Sequence, residues 1–93
     1  MNDLTKAAFY DVNKQRERQD DKWGEQNHTA PVWMSIIGEE YGEMCQAVNE
    51  FLFDPTPEND QRVYDEAIQA AACCIALCEC IMRAQEAADD DAE

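Results

Sequence analysis

Two groups of acidic residues have the types and spacing of a cation site. Glu39, Glu40 and Glu43 form an E-E-x-x-E run, and Glu66 opens a Glu-x-x-Gln run that ends at Gln69, with Asp65 just before it. Residues three or four apart on a helix share a face, so Glu40 and Glu43 stand together. Glu40 is the informative one. Trp33, Ile36, Ile37, Met44, Ala47, Val48 and Phe51 fall within one arc of a helix, and Glu40 projects near the middle of that arc. Glu66 sits at the edge of a second apolar arc, one turn from Val63 and Ala70. If the two helices pack through these arcs, Glu40, Glu43 and Glu66 converge. An ionised carboxylate in low dielectric shifts its pKa or finds a cation. Arg62 stands four residues before Glu66 and could pair with it, but one arginine does not neutralise three or four acids. A hard divalent ion bound through oxygens resolves the conflict, and Mg2+ fits best, since it takes a few carboxylates plus water and phosphates. The plainer alternative makes Glu39 and Glu43 a solvated helix edge with Glu40 reaching out to water. It leaves unexplained why Glu40 interrupts an apolar stripe and why a second acid lies on the packing partner.

A second set of residues lies upstream. Lys22, Trp23, Gln26, Asn27 and His28 crowd into a segment that runs from Lys22 to Pro31 and contains Gly24. Loops on a rigid scaffold often carry function. Trp23, beside a glycine in polar surroundings, suits a stacking platform, whereas Trp33 reads as core. His28 is the only histidine, which excludes a multi-histidine zinc site within one chain. It serves either as a turn-stabilising hydrogen-bonder or as a contact to a ligand.

The elements that must position these residues are helical. Glycine and proline are grouped, with Gly24 and Pro31 at one break and Pro55 and Pro57 at another, and no segment alternates as a strand would. The first helix is expected from Asp3 to Asp21, with Leu4, Ala8 and Val12 as its apolar stripe. That stripe continues onto Gln15 and Gln19, so its far end faces either a polar cavity or solvent. Thr29 and Pro31 suit the start of a second helix, from Val32 to Phe53. Gly38 and Gly42 within it cost roughly 1 kcal/mol each against alanine and suggest close approach by another backbone or a ligand. The third helix is expected from Asn59 to Ala87. Its middle, Ala67 to Cys78, is apolar on nearly every side except at Gln69, and a helix apolar all round is buried all round. Three helices cannot surround it. The expected fold is therefore all-α: a three-helix protomer, one domain over residues 1–93, in a helical bundle completed by a second copy. The acidic segment 88–93 is expected to fray.

Composition narrows the partners. The chain has 93 residues, 21 acidic and 7 basic, for a formal net charge of −14. Residues 1–22 hold five bases and five acids, so the whole surplus falls on the later part of the chain. A nucleic-acid-binding face needs clustered bases, which this chain lacks. The longest apolar run, Ala70 to Cys78, is much shorter than the roughly 20 residues of a membrane span. No basic segment followed by an apolar one opens the chain, so no signal peptide is expected. Five cysteines, an odd number, suit reduced thiols in the cytoplasm. Cys74 and Cys78 are spaced to share a zinc ion, but they lie among Ala, Ile and Leu, where cysteine acts as a small hydrophobe.

Taken together, Glu39-Glu40-x-x-Glu43, then Glu66-x-x-Gln69, resemble the E-E-x-x-E, spacer, E-x-x-D pattern of the all-α nucleoside triphosphate pyrophosphohydrolases of MazG type. The segment Arg16 to His28, with Trp33 beyond, looks like the short MazG-like proteins often encoded by phages. It is also similar to the Trp-x-Gln-x-His region of the related dCTP pyrophosphatases, with one residue inserted. The resemblance covers about residues 10 to 83. It implies a helical bundle completed as a dimer or tetramer, and hydrolysis of NTP to NMP and pyrophosphate. It implies that Glu40, Glu43 and Glu66 hold Mg2+ (or Mn2+), with Glu39 as a further ligand or as the group that orients the attacking water. Trp23, Gln26 and His28 then lie near base and sugar, and Lys22 reaches a phosphate. One departure stands out: Gln69 replaces the family's final aspartate, so an amide oxygen without charge takes that ligand position.

Three functions follow from these residues. The leading one is a Mg2+-dependent pyrophosphohydrolase acting on a nucleotide, without nucleic-acid or membrane partners. The second is a nucleotide-binding protein on the same scaffold that turns over weakly or not at all, as Gln69 would favour. The third is an acidic interaction protein that mimics nucleic acid, which accounts for the charge but not for Glu40.

Overall fold

The computed structural model describes residues 1–92, and these form three helices: α1 (Asp3–Trp23), α2 (Ala30–Phe53) and α3 (Pro57–Ala92). The all-α, three-helix expectation holds. Each start has a local cause. Asn2 caps α1, its side-chain oxygen accepting from Thr5 N at 2.8 Å. Pro31 occupies the first turn of α2, behind Thr29. The Thr56 hydroxyl accepts from Asn59 N at 3.1 Å at the head of α3. Gly24 ends α1 at φ 70°, a conformation open to glycine, and its N–H returns to the Asp20 carbonyl at 2.8 Å.

The helices overrun the expected ends. α1 continues to Trp23, and α3 extends past Ala87 through the acidic segment to Ala92. Of that segment, 88–93, Glu93 lies outside the described residues. With 36 residues α3 is about 54 Å long at 1.5 Å per residue, which sets the long axis of a body measuring 57 × 32 × 23 Å.

The packing is simple. α3 is the centre, α1 and α2 each lie against it, and α1 and α2 do not meet each other. The buried apolar residues are Trp33 and Ala47 on α2 and Ala72, Cys73 and Ala76 on α3. Four of these five are small, so two helices can approach the α3 backbone closely. Within one chain α3 is not covered all round, as expected with only two helices against it: Cys74, Ile75, Cys78, Ile81 and Met82 are exposed. Nor is Leu4 part of a core stripe, being 84% exposed. Nothing approaches Gly38 or Gly42 within this chain: a Cβ at either would meet no atom within 4 Å.

Two quantities describe the result. The radius of gyration is 15.9 Å, where about 12 Å is usual for this length. The accessible surface is 6832 Å², against about 5,500 Å² for a compact monomer of this mass. α3 is also, by length and composition, long and apolar enough to cross a membrane, with mean hydropathy 1.6 in its most apolar window. Counting unbroken apolar runs misses this, because Glu79 and Arg83 interrupt them. Both charges have work here: Glu79 pairs with Arg16 of α1 at 2.5 Å, and Arg83 holds the loop before α2.

Close packing at Ala72 is the clearest test of the arrangement. Ala72 has no exposed surface, so Ala72→Leu should overpack α3 and cost about 1–3 kcal/mol. A urea midpoint that falls with unchanged slope is the expected readout.

Candidate functional site

α2 and α3 bring three carboxylates together. One oxygen each from Glu40, Glu43 and Glu66 lies within 4.8 Å of the others. Glu40 and Glu66 are half-buried, and Glu43 is exposed at the mouth. Two of the oxygens, Glu40 Oε2 and Glu66 Oε2, are buried without a hydrogen-bond partner. Arg62 does not relieve them by pairing with Glu66, as the spacing allowed. It turns instead across the helix pair to form an ion pair with Glu50.

The electrostatic outcome is the one expected of acids without a cation. Burial pushes the Glu40 carboxyl above its ordinary range, and the charges of Glu43, Glu66 and Glu39 push it further. Glu66 is raised first by burial and then by Glu43, against the more distant Arg62, which lowers it. All the donors are hard oxygens and two are unsatisfied, so the site suits a hard divalent cation. Cysteine plays no part in it. Cys74 and Cys78 are exposed free thiols, and the carboxylates form the candidate metal cluster among the described residues.

Beside the triad is a cavity of about 600 Å³ in the gap that α1 and α2 leave above α3. α1 contributes Gln15, Gln19 and Trp23; α2 contributes Trp33, Ile36, Glu39 and Glu40; and Gln69 and Cys73 of α3 form the floor. The loop contributes Gln26 and His28. Gln19 is only 5% exposed, so the amide end of α1 faces a cavity rather than solvent, though one lined more by apolar than by polar surface. Trp33 is at once core, at 4% exposure, and cavity wall.

The loop is held by α3. Arg83 donates to Asn27 Oδ1 and to the Gln26 carbonyl, both at 3.0 Å. His28 Nε2 lies 3.0 Å from Gln26 Oε1, and its ring packs edge-on against Trp33 at 5.0 Å. His28 therefore braces the turn while it lines the cavity. Lys22 is placed elsewhere: its ammonium sits over the Trp23 ring at 4.6 Å and does not line the cavity. Glu39 lines the cavity next to Glu40 but is not one of the three converging acids.

Sequence reasoning missed two residues of this region. Arg16 and Glu79 tie α1 to α3, and Arg16 also holds Gln19 at 2.9 Å. The available signal was Glu79 itself, an acid at the end of an otherwise apolar stretch, which calls for a partner. No family model, curated protein or solved structure matches the chain.

The raised carboxyls make a pH prediction. A group whose folded pKa lies above its unfolded one binds more protons in the folded state, so stability is lost as pH rises through the two values. In metal-free protein Glu40 and Glu66 therefore cost stability from the ordinary glutamate range upward. Glu40→Gln should match the native chain near the acid end and be the more stable of the two near neutrality, in urea titrations with chelator. Added Mg2+ should stabilise the native chain and leave Glu40→Gln nearly unchanged. A native chain that is the more stable at neutral pH without metal would contradict this.

Proposed function

We propose that the protein is a Mg2+-dependent nucleoside triphosphate pyrophosphohydrolase of MazG-like type, converting an NTP or dNTP to NMP and pyrophosphate. The observation that carries the proposal is the set of three converging carboxylates with two orphaned oxygens, set beside a cavity large enough for a nucleoside. Glu40, Glu43 and Glu66 would hold the ion, with Glu39 and the Gln69 amide oxygen as further ligands. Bound there, Mg2+ supplies counter-charge for the phosphates and lowers the pKa of a coordinated water. Glu39 would orient the water that attacks the α-phosphorus, whose bond to the bridging oxygen breaks as pyrophosphate leaves. Trp23, Gln26 and His28 bind base and sugar, and Gln19 faces them from α1. Lys22 reaches a phosphate only by leaving the Trp23 ring. Five unpaired thiols suit a reducing compartment such as the cytoplasm.

Gln69 favours a second reading. With an uncharged amide where the resembling family has an aspartate, the same site would bind nucleotide and turn it over weakly. One experiment addresses both. A panel of NTPs and dNTPs with Mg2+ or Mn2+ should give pyrophosphate rather than orthophosphate, and Glu40→Gln should abolish it. Tight binding with the nucleotide recovered intact would favour the second reading. Neither binding nor pyrophosphate would sink both.

We also propose that the active form is a homo-oligomer. Met34, Gly38, Tyr41, Cys45, Val48 and Leu52 recur every three or four residues along α2 and are all exposed. This is the spacing of a helix-pairing seam, and it carries no charge on a chain of net charge −14. The surplus surface of about 1,300 Å² over a compact monomer exceeds the ~800 Å² per partner of a standard interface. A dimer or tetramer is expected in sedimentation, with Val48→Glu or Leu52→Glu giving monomer. A native chain that sediments as monomer at micromolar concentration would rule this out.

A further inference from the structure

One polar side chain on the cavity wall is held in a single orientation. Gln19 is 5% exposed and is the buried polar residue of the core. Its Oε1 accepts from Arg16 Nη1 at 2.9 Å. Arg16 is itself fixed: its Nε and Nη2 donate to Glu79 Oε2 at 2.9 and 2.5 Å, and Nη2 also donates to Asp20 at 2.9 Å. A guanidinium has donors only, so it accepts nothing from an amide. The Gln19 amide therefore cannot flip. Its oxygen faces Arg16, and its NH2 end faces the cavity side, where Nε2 lies 3.5 Å from the sulfur of Cys73. A thiol sulfur is a weak acceptor, and an amide nitrogen has two hydrogens. Among the described residues the second N–H has no partner, and a buried donor left unpaired is costly.

We infer that Gln19 is a specificity-determining donor, held by Arg16 as a positioning residue, and that it selects a ligand ring presenting a carbonyl acceptor to α1. This rests on the nucleotide reading above and narrows it. Bases whose edge carries a carbonyl are accepted there. Bases with an amino group at that position bring a donor against a donor, leaving both unpaired. The same lock accounts for the part-buried Arg16–Glu79 pair, which tethers α1 where the cavity needs a fixed wall.

The test uses α,β-imido analogues of dUTP and dCTP, which present a carbonyl against an amino group at ring position 4, with N–H against a bare nitrogen beside it at position 3, and are not hydrolysed between the α- and β-phosphates. Dissociation constants are measured by calorimetry with Mg2+. The native chain should prefer the dUTP analogue by about tenfold, the equivalent of one hydrogen bond left unmade. Gln19→Glu, which turns only acceptors to the cavity, should reverse the preference. Arg16→Met, which frees the amide to flip, should bring the two constants within about threefold. Far-UV circular dichroism monitors folding of each variant. If Gln19→Glu does not fold, Gln19→Met, similar in volume but without donors, should bring the ratio close to one. A native preference for the dCTP analogue, or a ratio indifferent to Gln19, overturns the inference while leaving the nucleotide reading in place. A native chain that binds neither analogue removes the nucleotide reading, and the inference with it.

Discussion

Everything in this molecule is arranged around one helix that serves two others. α1 and α2 pack on α3 and not on each other, which requires α3 to present small side chains where they lie against it. Ala72, Cys73 and Ala76 meet that requirement. Because the outer helices diverge, a gap stays open between them, and the gap is the cavity. Its floor is α3, its walls are Gln19 and Trp33, and its rim is a loop that Arg83 of α3 ties down. The loop and the walls are thus both referenced to the same scaffold helix.

The distribution of cations then decides the chemistry. Each well-placed base is committed away from the three carboxylates: Arg16 to Glu79 and Asp20, Arg62 to Glu50, and Arg83 to the loop. Glu40, Glu43 and Glu66 are left without an internal counter-charge, with two oxygens buried and unpaired. A protein core tolerates such a group by protonating it or by admitting a cation. Three hard oxygen donors in this setting could coordinate a divalent cation. On the proposed function, a net charge of −14 would admit a polyanionic ligand only together with its metal.

Several features were legible before the fold was known because they depend on local rules. Helix positions follow from apolar spacing and from the breaks at Gly24, Pro31, Pro55 and Pro57. The convergence of Glu40, Glu43 and Glu66 follows from helical geometry once two apolar arcs are assumed to face each other. Gln19 continues the stripe of Ala8 and Val12, which left it facing either a cavity or solvent until its burial decided for the cavity. Other features were not legible. The rotamer that sends Arg62 to Glu50 rather than Glu66 depends on how α2 lies across α3. The open surroundings of Gly38 and Gly42 depend on which face of α2 has no neighbour, and spacing alone cannot tell a close approach from an empty one.

The amino-acid sequence by itself determined the three helices, the face on which the acids stand and the excess of negative charge, since each is set by neighbours within a few residues. The tertiary structure decided which acids go unpaired, that a cavity lies between α1 and α2, and that Arg16 fixes the orientation of the Gln19 amide. The Gln19 orientation depends on contacts between residues more than 50 positions apart, Arg16 with Glu79 and Gln19 with Cys73, and the unpaired acids depend on Arg62 turning to Glu50 of another helix. No local preference encodes such contacts. They exist because α3 is long enough, and slender enough at Ala72, Cys73 and Ala76, to hold two helices at once.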